Sequence, residues 1–122
     1  MKVLLINGSP HEKGCTYTAL SLIAGELNAS GIETEILNVG TKPVGGCIGC
    51  GGCAKGNGCV FGGVVNEAIE KAKTADAFVF GTPVHYASAS GNMTSFMDRL
   101  AYAGGKYLAY KPAAICASAR RA

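Results

Sequence analysis

The sequence predicts an α/β fold in which a parallel sheet is covered by helices on both faces. Short apolar runs alternate with segments whose apolar residues recur at the spacing of one helical face. The order along the chain is β-α-β-α-β-α-β, and strands that alternate with helices pair in parallel. The chain has 122 residues, enough for one domain with its own core, so residues 1–122 are interpreted as one domain.

Individual runs of residues place the predicted elements. Strands are expected at 2–6, 34–39, 77–80 and 113–117, and the second is expected at an edge because Glu33 and Glu35 stand near its start. The first helix is expected over about 16–29. Apolar faces mark the second helix at Val65, Ala68, Ile69 and Ala72, and the third at Met93, Phe96, Met97 and Leu100. A further β-α pair beyond Ala122 is expected to complete a five-stranded sheet.

Composition and charge exclude several classes of protein. Hydrophobic residues make up 48% and charged residues 16%, which is typical of a globular chain. The net charge is only +3 and the cations are scattered, so no nucleic-acid partner is expected. The apolar run Val3–Ile6 is too short for a signal peptide or a membrane span, which predicts a cytoplasmic protein with no membrane partner. Six cysteines in such a chain indicate ligands or redox groups before disulfides.

The loop after the first strand has the chemistry of an anion site. Residues 8–18 lead from a buried strand into a helix, where hydroxyls and free helix N–H groups can surround a phosphate. Capping of the helix by Thr16 or Thr18 is the structural alternative. The Walker sequence is missing, which argues against triphosphate chemistry, and the Gly-x-Gly-x-x-Gly fingerprint is absent too.

A second loop with binding character follows the third strand. Residues 81–91 combine a proline, an apolar residue and an aromatic residue, which suits a flat ring with polar edges. In a sheet of order 2-1-3-4-5, strands one and three are neighbours whose connections leave in opposite directions, and ligands bind in that crevice. For His85 and Tyr86 the alternative is surface packing or a subunit contact.

Four cysteines in a glycine-rich stretch, which we call the cysteine segment (residues 45–63), form the pattern C-x₂-C-x₂-C-x₅-C. They are Cys47, Cys50, Cys53 and Cys59. Three thiolates at three-residue intervals can wrap one side of a [4Fe–4S] cluster, and bacterial ferredoxins begin in the same way. Structural zinc usually pairs two C-x₂-C units across a longer gap and fits this spacing poorly. Free thiols or adventitious disulfides are a third interpretation.

Both loops resemble those of the NADPH-dependent FMN reductase family. The resemblance is carried by Gly8-Ser9-Pro10, Gly14-Cys15-Thr16, Thr82–Tyr86, Ser90-Gly91 and Phe96–Arg99. It implies a flavodoxin-like fold of three α/β/α layers, strand order 2-1-3-4-5, and FMN as cofactor. The residues it places at the FMN are Ser9, His11, Gly14, Cys15, Thr16, Tyr17, Thr82, Pro83, Val84, His85, Tyr86, Ser118 and Arg120. The family usually has Arg near position 11 and Asn or Ser near position 15, so this chain departs at two side chains.

The cysteine pattern on this scaffold is similar to the iron–sulfur flavoprotein branch of the same family. That similarity implies an FMN-dependent oxidoreductase with a [4Fe–4S] cluster on the four cysteines. It implies a homodimer or homotetramer, and NAD(P)H, a ferredoxin-type protein or a small molecule as electron partner. One alternative is a cluster-free NAD(P)H-dependent FMN or quinone reductase. Another is a non-enzymatic metal-binding or redox-sensing module that has lost the flavin.

Overall fold

The computed structural model describes residues 1–121 and contains the alternating elements expected from the sequence. In chain order they are β1 (Lys2–Asn7), α1 (Cys15–Ala29), β2 (Glu33–Asn38), a 3₁₀ turn (Gly52–Lys55), α2 (Val64–Thr74), β3 (Ala77–His85), β4 (Ser88–Ala89), α3 (Gly91–Leu108) and β5 (Ala113–Ser118). The bounds of β1, α1, β2 and β5 agree with the predicted ones to within a residue. No helix among residues 1–121 is long and apolar enough to cross a membrane.

The strands form a parallel sheet of order β2-β1-β3-β5, with β2 at one edge. This is the flavodoxin-like order expected from the sequence, with β5 in the fourth place. β3 continues past its predicted end at Phe80 to His85, because its last residues pair first with β5 and then with β4. The antiparallel strand β4 was not predicted, since two residues carry no periodicity that a pattern can detect.

The two faces of β1 are covered by different helices. Leu4 and Ile6 belong to the core under α2 and α3, which includes Phe96. Val3 and Leu5 belong to the core under α1, which includes Leu20. Successive strand residues point to opposite faces, so a strand buried on both sides is apolar throughout. Each fully buried large apolar side chain contributes about 1.5–3 kcal/mol, and the resulting three-layer core gives the ends of β1 and β3 a rigid base.

β5 is more exposed than its apolar sequence predicts. Ile115 keeps 84% of its surface exposed, because it lies on the last strand of the described sheet. Cys116 is half-buried beside the α1 layer, where burial raises the pKa of its thiol. The exposure of β5 could not be predicted because apolar content alone does not separate an edge strand from a central one.

Candidate functional site

The loops that follow β1 and β3 meet at one edge of the sheet. Asn7 and Gly81 are register partners at the ends of these strands. The Gly8 N–H donates to the Gly81 carbonyl at 2.8 Å, and the Ser90 hydroxyl donates to the Gly8 carbonyl at 2.8 Å. The two stretches that the sequence marks for phosphate and ring are therefore held side by side by hydrogen bonds between their backbones and Ser90.

The N-terminus of α1 opens onto this crevice without a side-chain cap. Its N-cap is Gly14, no side chain of the described chain caps it, and its first turn carries no acidic residue. The capping alternative for Thr16 and Thr18 is not realised: Thr18 donates back to the Gly14 carbonyl at 3.1 Å, and the hydroxyl of Thr16 lies 2.8 Å from that of Ser118. The first N–H groups of the helix can therefore bind an anion, and the helix dipole favours negative charge there.

A buried asparagine shapes the loop between β1 and α1. The Asn7 Oδ1 accepts from the Ser9 N–H at 3.1 Å, and its Nδ2 donates to Asn38 Oδ1 of β2 at 2.9 Å. The Ser9 hydroxyl, which is buried, accepts from the His11 N–H at 3.1 Å. Sequence reasoning missed Asn7, although an asparagine directly after an apolar strand is a turn signal that points to this role.

Thr82 joins the two ends of the segment expected to carry the ring. Its hydroxyl accepts from the Ser90 N–H at 3.1 Å and donates to the Pro83 carbonyl at 2.9 Å. Thr82 and Pro83 are half-buried, whereas Val84, His85 and Tyr86 are exposed. The hydrogen bonds of Thr82 therefore hold the backbone of the segment in place, and the exposed side chains of residues 84–86 can contact a ligand.

The β3–β4 hairpin closes through an unusual two-residue turn. Tyr86 and Ala87 both have positive φ, 45° and 63°, between the paired residues His85 and Ser88. Such turns favour Asn-Gly, and a non-glycine residue in this region costs on the order of 1–3 kcal/mol. The turn presents the whole Tyr86 side chain to solvent beside the crevice.

The remaining residues expected at the cofactor lie around the same edge of the sheet. Ser118 is brought to α1 by its hydrogen bond with Thr16. His11 and Cys15 are exposed, Tyr17 is half-buried, and Arg120 is exposed after the end of β5. In the structure, the backbones of the two loops and Ser118 therefore lie at the same edge of the sheet. Contacts with a cofactor stay predictions for His11, Cys15, Tyr17 and Arg120.

All four motif cysteines line a single cavity of about 300 Å³ next to α3. Its wall also contains Ile48, Val60, Phe61 and Tyr102, and none of its lining residues is a histidine or a carboxylate. Among residues 1–121, no three histidine, cysteine, aspartate or glutamate side chains are grouped so that they could hold one metal ion. Four cysteines spread around a space suit a [4Fe–4S] cluster better than a single ion, because each thiolate of such a cluster binds a different iron.

Three side chains from the neighbouring helices anchor the cysteine segment and the residues leading into it. Asn92 donates to the carbonyls of Gly40 and Lys42 and accepts from the Val44 N–H. Arg99 and Asn66 contact the segment itself. The sequence did not reveal these anchoring roles, and Arg99 was singled out only within the motif Phe96–Arg99.

The guanidinium of Arg99 lies beside the sulfur of Cys59. Burial raises the pKa of its thiol, but the hydrogen bond from Arg99, the Phe61 N–H and the charge of Arg99 outweigh burial, so the pKa lies below its ordinary value. Arg99 Nε donates to Cys59 Sγ at 3.3 Å. Cys59 therefore loses its proton more readily than an ordinary cysteine, and the thiolate is the form that binds metals.

Comparison with known proteins finds relatives along most of the chain. The profile of the NADPH-dependent FMN reductase family matches residues 1–122. An iron–sulfur flavoprotein of Methanocaldococcus jannaschii is 34% identical over 99 residues, which are 81% of this chain and 51% of that protein. An iron–sulfur flavoprotein of Archaeoglobus fulgidus is 36% identical over 99 residues, covering 81% of this chain and 48% of that protein. The chain spans about half the length of the curated relatives it matches.

Two solved structures share the arrangement of strands and helices. An NAD(P)H:quinone oxidoreductase from Methanothermobacter marburgensis superposes with a TM-score of 0.75 at 19% identity, covering 98% of this chain and 64% of the other. The apo form of an NADH:FMN oxidoreductase gives 0.67 at 23% identity, covering 97% and 58%. At these identities the likeness establishes the flavodoxin-like fold.

Proposed function

Because the chain belongs to the NADPH-dependent FMN reductase family, we propose that it binds FMN between the ends of β1 and β3 and acts as a flavin-dependent oxidoreductase. The observation that supports this most strongly is the junction of the two loops, where Gly8 bonds to Gly81 and Ser90 bonds to Gly8. FMN has a phosphate at one end and a flat ring at the other. The uncapped N-terminus of α1 suits the phosphate, and the neighbouring β3–β4 hairpin suits the ring.

Each part of this edge has a separate task. The N-terminus of α1, with Ser9 and Thr16, binds the phosphate through N–H groups and hydroxyls. Residues 82–86 line the ring, and Thr82 keeps that segment in position. When bound, FMN supplies hydride and electron transfer, so the protein's part is binding, orientation and tuning of the ring.

The proposal extends to a [4Fe–4S] cluster held by Cys47, Cys50, Cys53 and Cys59. Its support is one cavity that all four cysteines line and that no histidine or carboxylate lines, together with relatives that carry the name iron–sulfur flavoprotein. Held by these four cysteines, such a cluster would supply single-electron transfer, and a ferredoxin-type protein or a small molecule would suit as the electron partner. A reduced nicotinamide is the proposed hydride donor to the flavin.

Anaerobic purification followed by cofactor analysis tests both parts of the proposal. The expected result is a yellow-brown protein with FMN, iron and acid-labile sulfide. A colourless protein that does not bind added FMN contradicts the flavin assignment and favours a non-flavin module. FMN without iron, with NADPH–quinone turnover that survives Cys→Ser changes at all four positions, indicates the cluster-free reductase instead.

A further inference from the structure

We propose that Asn66 and Arg99 are positioning residues, because together they hold both the backbone and the sulfur of Cys59 in place. Cys59 is then the fixed ligand, and the other three cysteines close around the cluster from a looser segment. The inference rests on the proposed cluster, but the conformation of Cys59 can be measured without any iron present.

The side-chain amide of Asn66 forms hydrogen bonds with both the N–H and the carbonyl of Cys59. It lies in the first turn of α2, where its Oδ1 accepts from the Cys59 N–H at 2.8 Å and its Nδ2 donates to the Cys59 carbonyl at 2.9 Å. The preceding Gly58 has a φ of +79°, and a Cβ there would stand 2.8 Å from Asn66 Oδ1. The chain therefore uses glycine at this position to let the amide approach.

Arg99 holds the sulfur and ties together the two ends of the cysteine segment. Besides the bond to Cys59 Sγ, its Nη1 donates to the Gly45 carbonyl at 3.2 Å and its Nη2 to the Gly62 carbonyl at 3.0 Å. The side chain is buried, and its guanidinium lies 5.7 Å from the centre of the Phe61 ring. A planar fork with five donors can make these contacts at once, which a lysine cannot.

Among residues 1–121, no helix side chain forms a hydrogen bond with the other three cysteines. In the part of the chain that the structure describes, the hydrogen bonds of residues 46–58 join partners within that stretch, such as Gly49 N–H to Cys47 Sγ at 3.4 Å. Cys47 and Cys50 are exposed, and Gly49 and Gly51 both have positive φ. This stretch is free to adjust around a cluster that Cys59 has located.

Two measurable consequences follow for the loaded protein. Outer contacts that orient a ligand typically change metal affinity by 10- to 100-fold when they are removed. A hydrogen bond and a positive charge at a cluster ligand stabilise the more negative, reduced state, so both raise the reduction potential. Loss of Arg99 should therefore loosen one iron and lower the potential.

The first experiment measures hydrogen exchange of the Cys59 amide in the iron-free protein. Asn66→Leu, which keeps the approximate volume but removes both bonds, should speed this exchange by about tenfold, since one net hydrogen bond is worth about that factor. Asn66→Asp keeps an acceptor for the Cys59 N–H and should preserve most of the protection. Rapid exchange of this amide in the wild-type protein overturns the inference, whatever the cofactor analysis shows.

The second experiment reconstitutes the protein anaerobically with ferrous iron and sulfide. Arg99→Gln should yield less iron per chain, and after oxidation with the one-electron oxidant ferricyanide it should show a [3Fe–4S]⁺ signal by electron paramagnetic resonance. Its midpoint potential should be lower by a tenfold shift in the one-electron equilibrium, or about 59 mV. Lys106→Gln removes the same charge from α3 without contacting a cysteine sulfur, so it should match the wild type.

The outcomes of the two experiments separate this inference from the proposed function. Equal iron content, spectra and potentials in wild-type protein and Arg99→Gln overturn the positioning role while the cluster stands. A protected Cys59 amide in wild-type protein that takes up no iron supports the fixed conformation of Cys59 and refutes the cluster.

Discussion

Replacing Thr16 by valine tests the phosphate site with little change of shape. The Thr16 hydroxyl is buried, with 2% of the residue exposed, and lies 2.8 Å from the hydroxyl of Ser118. Loss of that bond should lower the free energy of unfolding of the free protein by about 1 kcal/mol. A hydrogen bond to a charged phosphate is worth about 1.5–3 kcal/mol, so the Kd for FMN should rise by about 10- to 150-fold.

Quenching of flavin fluorescence on titration provides the assay for Thr16→Val. Riboflavin, which lacks the phosphate, should bind the variant and the wild type equally. Thr18→Val is the matched control, because the Thr18 hydroxyl is exposed and bonds back to Gly14 on the same helix. If Thr16→Val binds FMN within about twofold of the wild type, or if its affinities for FMN and riboflavin fall to the same extent, Thr16 does not contact the phosphate.

Three further predictions concern stability, measured by urea unfolding. Ala87→Gly should stabilise the protein by about 1 kcal/mol because φ is 63° there; an unchanged midpoint would show that the turn is unstrained. Gly40→Ala should destabilise by about 1–3 kcal/mol, since its Cβ would stand 2.3 Å from the Gly8 carbonyl oxygen; a neutral effect contradicts that close approach. The hydrogen bond from Lys71, opposed by burial, holds the pKa of Glu35 below its ordinary value of 4.5. The loss of unfolding free energy in Glu35→Gln should therefore be full above pH 4.5 and vanish as pH falls through the folded-state pKa. A loss that is independent of pH contradicts this.

The strand order and the meeting of the two loops could be predicted because they depend on local signals. Continuous apolar runs indicated β1 and β3, and right-handed crossovers left few ways to arrange them. Residues 8–18 and 81–91 were expected to meet because the carboxyl ends of neighbouring parallel strands lie at the same edge of the sheet.

The anchors of the cysteine segment could not be predicted from the sequence. Arg99 is 40 residues from Cys59 and 54 from Gly45 along the chain, so its partners depend on how α3 packs against the segment. Its neighbour Asp98 forms no ion pair with it, because adjacent residues on a helix point in different directions. The Tyr86–Ala87 turn was equally hidden, because it lacks the Asn-Gly pair that usually announces such a hairpin.

A crystal structure of the anaerobically purified protein with FMN would show where the cofactor binds. The phosphate is expected at the N-terminus of α1, within hydrogen-bonding reach of Ser9 and Thr16, and the ring is expected against residues 82–86. Flavin bound elsewhere on the chain, or a crevice between β1 and β3 that stays closed at saturating FMN, would contradict this placement.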